Sequence, residues 1–307
     1  MPSWLRSRIV LGLWPIAGVT TIGVTQEDAC ETIDAALKGG IRAFDTAFSY
    51  GLDGQSDRAL GDALRRNESW LHRDDVSIIS KVSQRYDASG KRYVDGRPET
   101  LIQDAETCLK RIGIEKFDVL MLHSVDESLD LRLSGDALQS LRKRGLTDHV
   151  GICNASDTQR VLFESTGPSV AIQCPLNLLQ TDSLDSLIHP AANNGTVALT
   201  YWALMKGLLA GDIKRDHIFP AGDSRPTYPI FQGDAREHAH RVVDRLRVIG
   251  KRHQRSVANL AVSWVLSQYG VAGVLTGARH AQQVHDFADA APLDDDLLEM
   301  VTNAAMT

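Results

Sequence analysis

Residues 25–46 read TQEDACETIDAALKGGIRAFDT, and this stretch decides the fold. Thr25 and Asp28 stand three apart, as a helix N-cap and its reciprocal partner do, and Ala29, Ile33, Ala36 and Leu37 recur at the spacing of one helix face. Gly39-Gly40 ends that helix, and Ile41 to Thr46 follows at once as an apolar run of strand length. The unit repeats. Further runs of strand length are Ile9 to Trp14, Val76 to Val82, Phe117 to His123, His149 to Cys153, Val170 to Cys174, Thr196 to Tyr201 and Val271 to Thr276. Helical patterns separate them, over about Ser56–Leu64, Pro98–Arg111, Asp136–Lys143, Asp157–Ser165, Leu184–Asn193, Asp234–Arg252, Ser256–Ser267 and Ala281–Ala290, with a last one near Asp294–Met306. Eight apolar strands alternating with helices predict an α/β fold, a closed (β/α)8 TIM barrel forming a single domain over residues 1–307. An open doubly wound sheet is the alternative, but no GxGxxG follows the first strand.

Composition narrows the function classes. With 307 residues, 43% of them hydrophobic, the chain can bury a large core, which excludes a disordered tail or a disulfide-stapled mini-protein. The balance of 33 Lys plus Arg against 39 Asp plus Glu, a net charge of −6, argues against a polyanion binder, so no nucleic-acid partner is expected. Cys30, Cys108, Cys153 and Cys174 form no CxxC pair and read as buried thiols in a reducing cytoplasm, with no metal site. Arg6 and Arg8 precede an apolar stretch, Ile9 to Val24, with the outline of a secretory signal. Gly12, Pro15, Gly18 and Gly23 break it, and Ile9-Val10-Leu11 reads better as a strand. Elsewhere no apolar run is long enough for a spanning helix, so no membrane association is expected.

In such a barrel, chemistry sits where strands end and the following loops begin. Asp45 closes the second strand, Tyr50 follows in its loop, Lys81 ends the third strand and His123 the fourth. A lysine ending a hydrophobic strand is expensive to bury alone, so Asp45 is its expected counter-charge. A lysine cation beside a phenol favours the phenolate and draws its pKa toward working pH, which makes Tyr50 a proton donor. A histidine in the same pocket can orient a carbonyl oxygen. No side chain supplies a hydride, whereas a nicotinamide cofactor does.

The order Asp45–Tyr50–Lys81–His123, within DTAFSYG, SKV and LHSVD, resembles the catalytic tetrad of the aldo-keto reductases. Gly151-Ile152-Cys153-Asn154 resembles that family's GxSN strand end, and Lys206-Gly207-Leu208-Leu209-Ala210-Gly211 its RGLLTG-type stretch. Residues 270–284 resemble the closing segment that grips the adenosine end of the cofactor. The resemblance covers most of the chain, from Ile9 to Ala290, and includes members similar to potassium-channel β subunits and bacterial sugar-related reductases.

It implies NADP(H), with NADPH preferred over NADH, and a small-molecule carbonyl or alcohol substrate. Tyr50 would be the general acid–base, Lys81 would lower its pKa, Asp45 would hold Lys81, and His123 would align the carbonyl. Asn154 and Gln173 would bond the nicotinamide carboxamide and Tyr201 would stack on the ring. Leu204, Lys206, Gly207, Leu209, Gly277, Arg279 and Gln283 complete the expected cofactor site, with Arg279 on the 2′-phosphate, which a guanidinium fork suits.

Departures from the family pattern are Cys153 in place of a serine, Phe287 in place of an adenine-binding asparagine, and one extra residue in Tyr50 to Asp57. The long loop near 214–233 carries Gly222-Asp223-Ser224-Arg225, which makes Arg225 a phosphate contact, with an exposed surface arginine as the alternative. Trp14, Phe48 and Trp202 are candidate walls of a substrate cleft. His238 and His240 read as surface residues and Trp264 as a helix residue packed on the barrel. Two other functions stay open: a redox-sensing module that binds the cofactor with little turnover, and a cofactor-free lyase or isomerase using Lys81 as a Schiff base. The oligomeric state is left open.

Overall fold

The computed structural model describes residues 1–19 and 23–306; residues 20–22, part of the Ile9 to Val24 run, lie outside the described residues. The strands are β1 (Ile9–Gly12), β2 (Ala43–Asp45), β3 (Ser77–Val82), β4 (Gln84–Tyr86), β5 (Arg92–Val94), β6 (Phe117–Leu122), β7 (Thr147–Cys153), β8 (Ala171–Pro175), β9 (Val197–Tyr201) and β10 (Val271–Thr276). Eight of them pair in parallel in the order β1-β10-β9-β8-β7-β6-β3-β2, with β1 bonded to β2 to close a barrel. The expected fold is the observed one. The apolar Ile9 to Val24 stretch starts as barrel strand β1.

Helices α1 (Gln26–Lys38), α2 (Gln55–Arg66), α3 (Pro98–Ile112), α4 (Leu131–Lys143), α5 (Asp157–Glu164), α6 (His189–Asn193), α7 (Gly233–His253), α8 (Val257–Leu266), α9 (Ala281–His285) and α10 (Asp295–Met306) surround the sheet. The Thr25–Asp28 capping box forms as read: the Asp28 amide donates to Thr25 Oγ1 at 3.1 Å and the Thr25 amide to Asp28 Oδ2 at 2.9 Å. Ile33, Ala36 and Leu37 are buried on the barrel wall, and each large aliphatic there contributes about 1.5–3 kcal/mol by leaving water. Along α8 every residue is buried, and Trp264 donates from Nε1 to Thr302 on α10 at 2.8 Å.

Boundaries differ where capping or proline chemistry intervenes. α4 starts five residues earlier than Asp136, because Asp130 caps it by accepting from the Arg132 amide. Leu184–Ile188 forms a π-helical turn ahead of α6, which carries Pro190 in its first turn, where a missing amide hydrogen is tolerated. α9 stops at His285. His240, expected at the surface, is buried on α7.

Strand alternation divides the interior by height. Val10, Ala43, Ile79, Val119, Met121, Ala171, Leu199 and Leu275 fill the barrel, and Trp4 and Leu5 pack into the same cluster, which Ser77 ties down by donating to the Trp4 carbonyl at 2.8 Å. Two residues further along the same strands stand Asp45, Lys81, His123, Cys153, Gln173 and Tyr201. One set of inward positions is therefore apolar below and polar at the C-terminal rim.

Candidate active site

At that rim Lys81 and Asp45 are wholly buried and form an ion pair. The ammonium also donates to the Thr46 carbonyl at 3.0 Å and to Tyr50 Oη at 3.0 Å, so all three of its N–H bonds are matched. The opposite carboxylate oxygen of Asp45 accepts from Gln173 Nε2 at 2.8 Å. Burial opposes the Lys81 charge, but Asp45 and the Tyr50 oxygen outweigh it and hold the lysine above its ordinary range.

Tyr50 differs from the expectation. Burial raises its pKa more than Lys81 lowers it, and the Asp45 charge adds to the rise, so the phenol sits above its ordinary value. Lys81 lowers it in the expected sense, but burial is the larger effect and Asp45 opposes the lysine. Tyr50 Oη accepts from Lys81, and its own O–H interacts with the Asp45 carboxylate. The His123 ring lies 5.7 Å from the Tyr50 ring at 71°. Burial and then the Lys81 and Arg92 charges hold it well below its ordinary pKa, as a neutral imidazole, and its Nδ1 is enclosed without a partner.

Gln173, Asn154 and Tyr201 stand on the next strands of the same rim. Since a carboxylate only accepts, Gln173 must turn its Nε2 to Asp45, and Oε1 is left as an acceptor, met so far by the Cys153 thiol at 3.6 Å. Asn154 donates to the His123 carbonyl at 2.9 Å and accepts from the Tyr201 hydroxyl at 2.5 Å. Asn154, Ser83, Trp202, Met205 and Lys206 all have positive φ, and all lie at strand ends or in the loop after β9. Backbone strain concentrates on this rim.

The loop after β9 gathers cations. Lys206 lies 4.5 Å from the Trp202 ring centroid and 4.1 Å from that of Tyr228. Arg225 grips both carboxylate oxygens of Asp223 through Nε and Nη2 and stacks 4.6 Å from Phe219, with Nη1 3.9 Å from where a Cβ on Gly207 would stand. Arg279 is held below its ordinary range by burial and by Arg225, with Asp223 opposing. Arg225 and Arg279 around Asp223, with Lys206 on the same loop, suit a dinucleotide's phosphates, and the acceptor Gln173 Oε1 with the Asn154 amide suits a carboxamide. The residues fit the cofactor.

Other residues expected at the cofactor have structural partners as well. The Leu209 side chain is fully buried and its amide donates to the Leu204 carbonyl, as does that of Gly207. Gln283 accepts from the Arg279 amide at 2.9 Å, shaping that loop. Gly277 makes room for Pro15: a Cβ would meet Pro15 Cγ at 2.5 Å. Phe287 is core. Of the three candidate cleft aromatics, Trp14 stands beside Tyr50 at 5.1 Å between ring centroids. Phe48 points outward between the guanidiniums of Arg85 and Arg111, at 5.2 and 4.9 Å, and Trp202 packs with Tyr201, Tyr228 and Lys206.

The β4–β5 hairpin was missed in the sequence because its strands are short and polar; the signal was the Asp87-Ala88-Ser89-Gly90 turn between Tyr86 and Tyr93.

The closed barrel thus holds a buried lysine–aspartate pair, a tyrosine and a neutral histidine at its C-terminal mouth. The family model of the aldo/keto reductases matches residues 8–305, and the chain belongs to that family of nicotinamide-dependent carbonyl–alcohol oxidoreductases. It is 30% identical to the aldo-keto reductase YhdN of Bacillus subtilis over 284 residues, 92% of this chain and 84% of that one. The NADH-specific methylglyoxal reductase of Escherichia coli is 28% identical, over 91% and 88% of the two chains. Among solved structures, the glycerol dehydrogenase AKR11B4 of Gluconobacter oxydans superposes with a TM-score of 0.88 at 30% identity, over 97% and 91%.

Proposed function

We propose that this chain is an NADP(H)-dependent reductase, or reverse-direction dehydrogenase, that interconverts an aldehyde, ketone or sugar-like carbonyl and its alcohol. The carrying observation is the joint geometry at the rim: Lys81, paired with Asp45, donates to Tyr50 Oη, and the phenol ring stands beside a neutral imidazole. The nicotinamide, when bound, supplies or accepts hydride at the carbonyl carbon. Gln173 Oε1 and Asn154 hold its carboxamide, Tyr201 flanks the ring, and Lys206, Arg225 and Arg279 take the phosphates.

Tyr50 gives its proton to the carbonyl oxygen as negative charge develops there, and Lys81 stabilises the phenolate that remains. Asp45 keeps Lys81 charged and oriented. His123 holds the carbonyl oxygen in line. Arg279 on the 2′-phosphate favours NADPH, although the E. coli relative is named for NADH. The four free, buried thiols suit a reducing cytoplasm, and among the described residues no helix is long and apolar enough to cross a membrane.

A Schiff base at Lys81 is disfavoured, because the amine is protonated, wholly buried and bonded three ways. The test is a panel of aldehydes, ketones, aldoses and inositols, followed by nicotinamide absorbance in both directions with each cofactor. Turnover faster with NADPH supports the reading. Tight cofactor binding with no turnover across the panel overturns it in favour of a redox-sensing module.

A further inference from the structure

The hairpin after the catalytic lysine strand carries a cation with no counter-charge. Gln84 pairs with Val94, Arg85 with Tyr93 and Tyr86 with Arg92, so Gln84, Tyr86, Arg92 and Val94 share one face and Arg85 lies on the other. The two faces do different things. On the outer one, Arg85 bonds to Asp104 of α3 at 3.0 Å. On the inner one, Arg92 lies 4.9 Å from the Trp14 ring centroid and 5.7 Å from that of Tyr86, and no carboxylate among the described residues pairs with it. Asp87, the exposed acid in the hairpin turn, is engaged within that turn, accepting from Ser89 Oγ and the Lys91 amide.

Trp14 is the ring that also edges Tyr50, so one indole separates the proton donor from the guanidinium. The Arg92 charge reaches His123 as well. Two further polar atoms on this face, Tyr86 Oη and Gln84 Oε1, are enclosed without partners. The hairpin is firmly seated: Gln84 donates to Ser124 Oγ at 2.6 Å, Ser83 Oγ to the Ser124 carbonyl at 2.9 Å, and the Asp95 amide to the Ser83 carbonyl at 2.8 Å.

We infer that Arg92 selects the substrate: the preferred carbonyl compound is short and carries an oxyanion, carboxylate or phosphate, at the end away from the reacting carbon. This rests on the carbonyl-reductase reading of the same site. Tyr50 and His123 take the carbonyl oxygen, the Trp14 ring covers the intervening carbons, and Arg92 forms a forked pair with the oxyanion. No charge is buried unpaired in the complex. The free protein, by contrast, leaves the guanidinium's hydrogen bonds to water.

Matched pairs test it: glyceraldehyde against glyceraldehyde 3-phosphate, and butanal against 4-oxobutanoate. The charged member of at least one pair should have the higher kcat/KM, through a lower KM, and that pair identifies phosphate or carboxylate as the oxyanion. Arg92→Met keeps an apolar stem against Trp14 and should cut the charged-to-neutral kcat/KM ratio of that pair about tenfold, a charge-assisted bond at a partly exposed position. Arg92→Lys should restore part of it, which a merely structural role would not do. Calorimetric titration with glycerol 3-phosphate, glycerol and succinate reads binding apart from turnover, and Arg92→Met should weaken only the anion that the preferred pair identifies.

Equal kcat/KM for both members of both pairs, or a ratio unchanged in Arg92→Met, overturns the inference while leaving carbonyl reduction intact. Absence of turnover with all four compounds, with no Arg92-dependent anion binding, overturns it together with the reading on which it rests.

Discussion

Tyr50→Phe removes one oxygen from the centre of the site. The ring keeps its place, packed 5.1 Å from Trp14 and 5.7 Å from His123, and two distinct losses follow. The chemical loss is the proton donor. A positioned general acid is worth roughly 10²–10⁴-fold, so kcat should fall by that factor, about 3–5 kcal/mol of barrier. The structural loss is the acceptor for one of three Lys81 N–H bonds, at a nitrogen with no access to water. An unmade bond to a buried charged donor costs roughly 1–3 kcal/mol, so thermal midpoint should drop by several degrees.

Cofactor affinity should stay within about twofold, because Gln173, Asn154 and Tyr201 bond to one another and to Asp45, Cys153 and His123, not to the phenol. Steady-state kinetics, calorimetric NADPH titration and a melting curve read the three effects separately. A variant that binds NADPH normally and retains kcat within tenfold of the parent would refute the reasoning and assign proton transfer to another group.

Asp45→Asn strands a buried ammonium, so urea denaturation should register a loss of about 3–5 kcal/mol together with most activity; a loss under 1 kcal/mol would mean Lys81 is not held as a charge. In Arg279→Ala, KM for NADPH should rise at least about tenfold more than KM for NADH, and equal rises would discard the 2′-phosphate contact. Burial holds Asp104 at about 7 and Asp57 at about 6, above ordinary carboxylate values. Their protonation favours the folded state, a contribution complete below about pH 4 and lost as pH rises through 6 to 7. Asp104→Asn should therefore flatten the fall in urea-derived stability between pH 5 and pH 8, and an unchanged slope would count against a raised Asp104.

Much of the architecture was legible because the signals are local. The starts of α1, α5 and α8 are written in capping residues, Thr25, Ser156 and Ser256, and each barrel strand in an apolar run, and neither needs a distant partner to be read. Asp45, Lys81 and His123 were legible for a related reason. They interrupt or end strands that are otherwise hydrophobic, and a charge there needs a partner wherever the fold puts it. The hairpin was not legible, since three-residue strands such as Gln84–Tyr86 carry no periodicity above that of a polar loop. His240 was misread because an isolated histidine on a helix does not reveal which face meets the core.

The sequence by itself determined the barrel, the residues at its rim and their order, because side-chain alternation along a strand is a one-dimensional property. Distance, burial and direction were decided only in three dimensions. Phe48 and Trp14 are both aromatic loop residues, yet one lies between two arginines and the other beside the phenol, a choice made by loop geometry rather than residue type. The protonation of Tyr50 also belongs to the assembled site. A neighbouring ammonium argues for an acidic phenol, and only the fold reveals that burial outweighs the lysine's effect. Electrostatic energies depend on the surrounding dielectric as well as on the partners, and that surrounding exists only once the strands have closed.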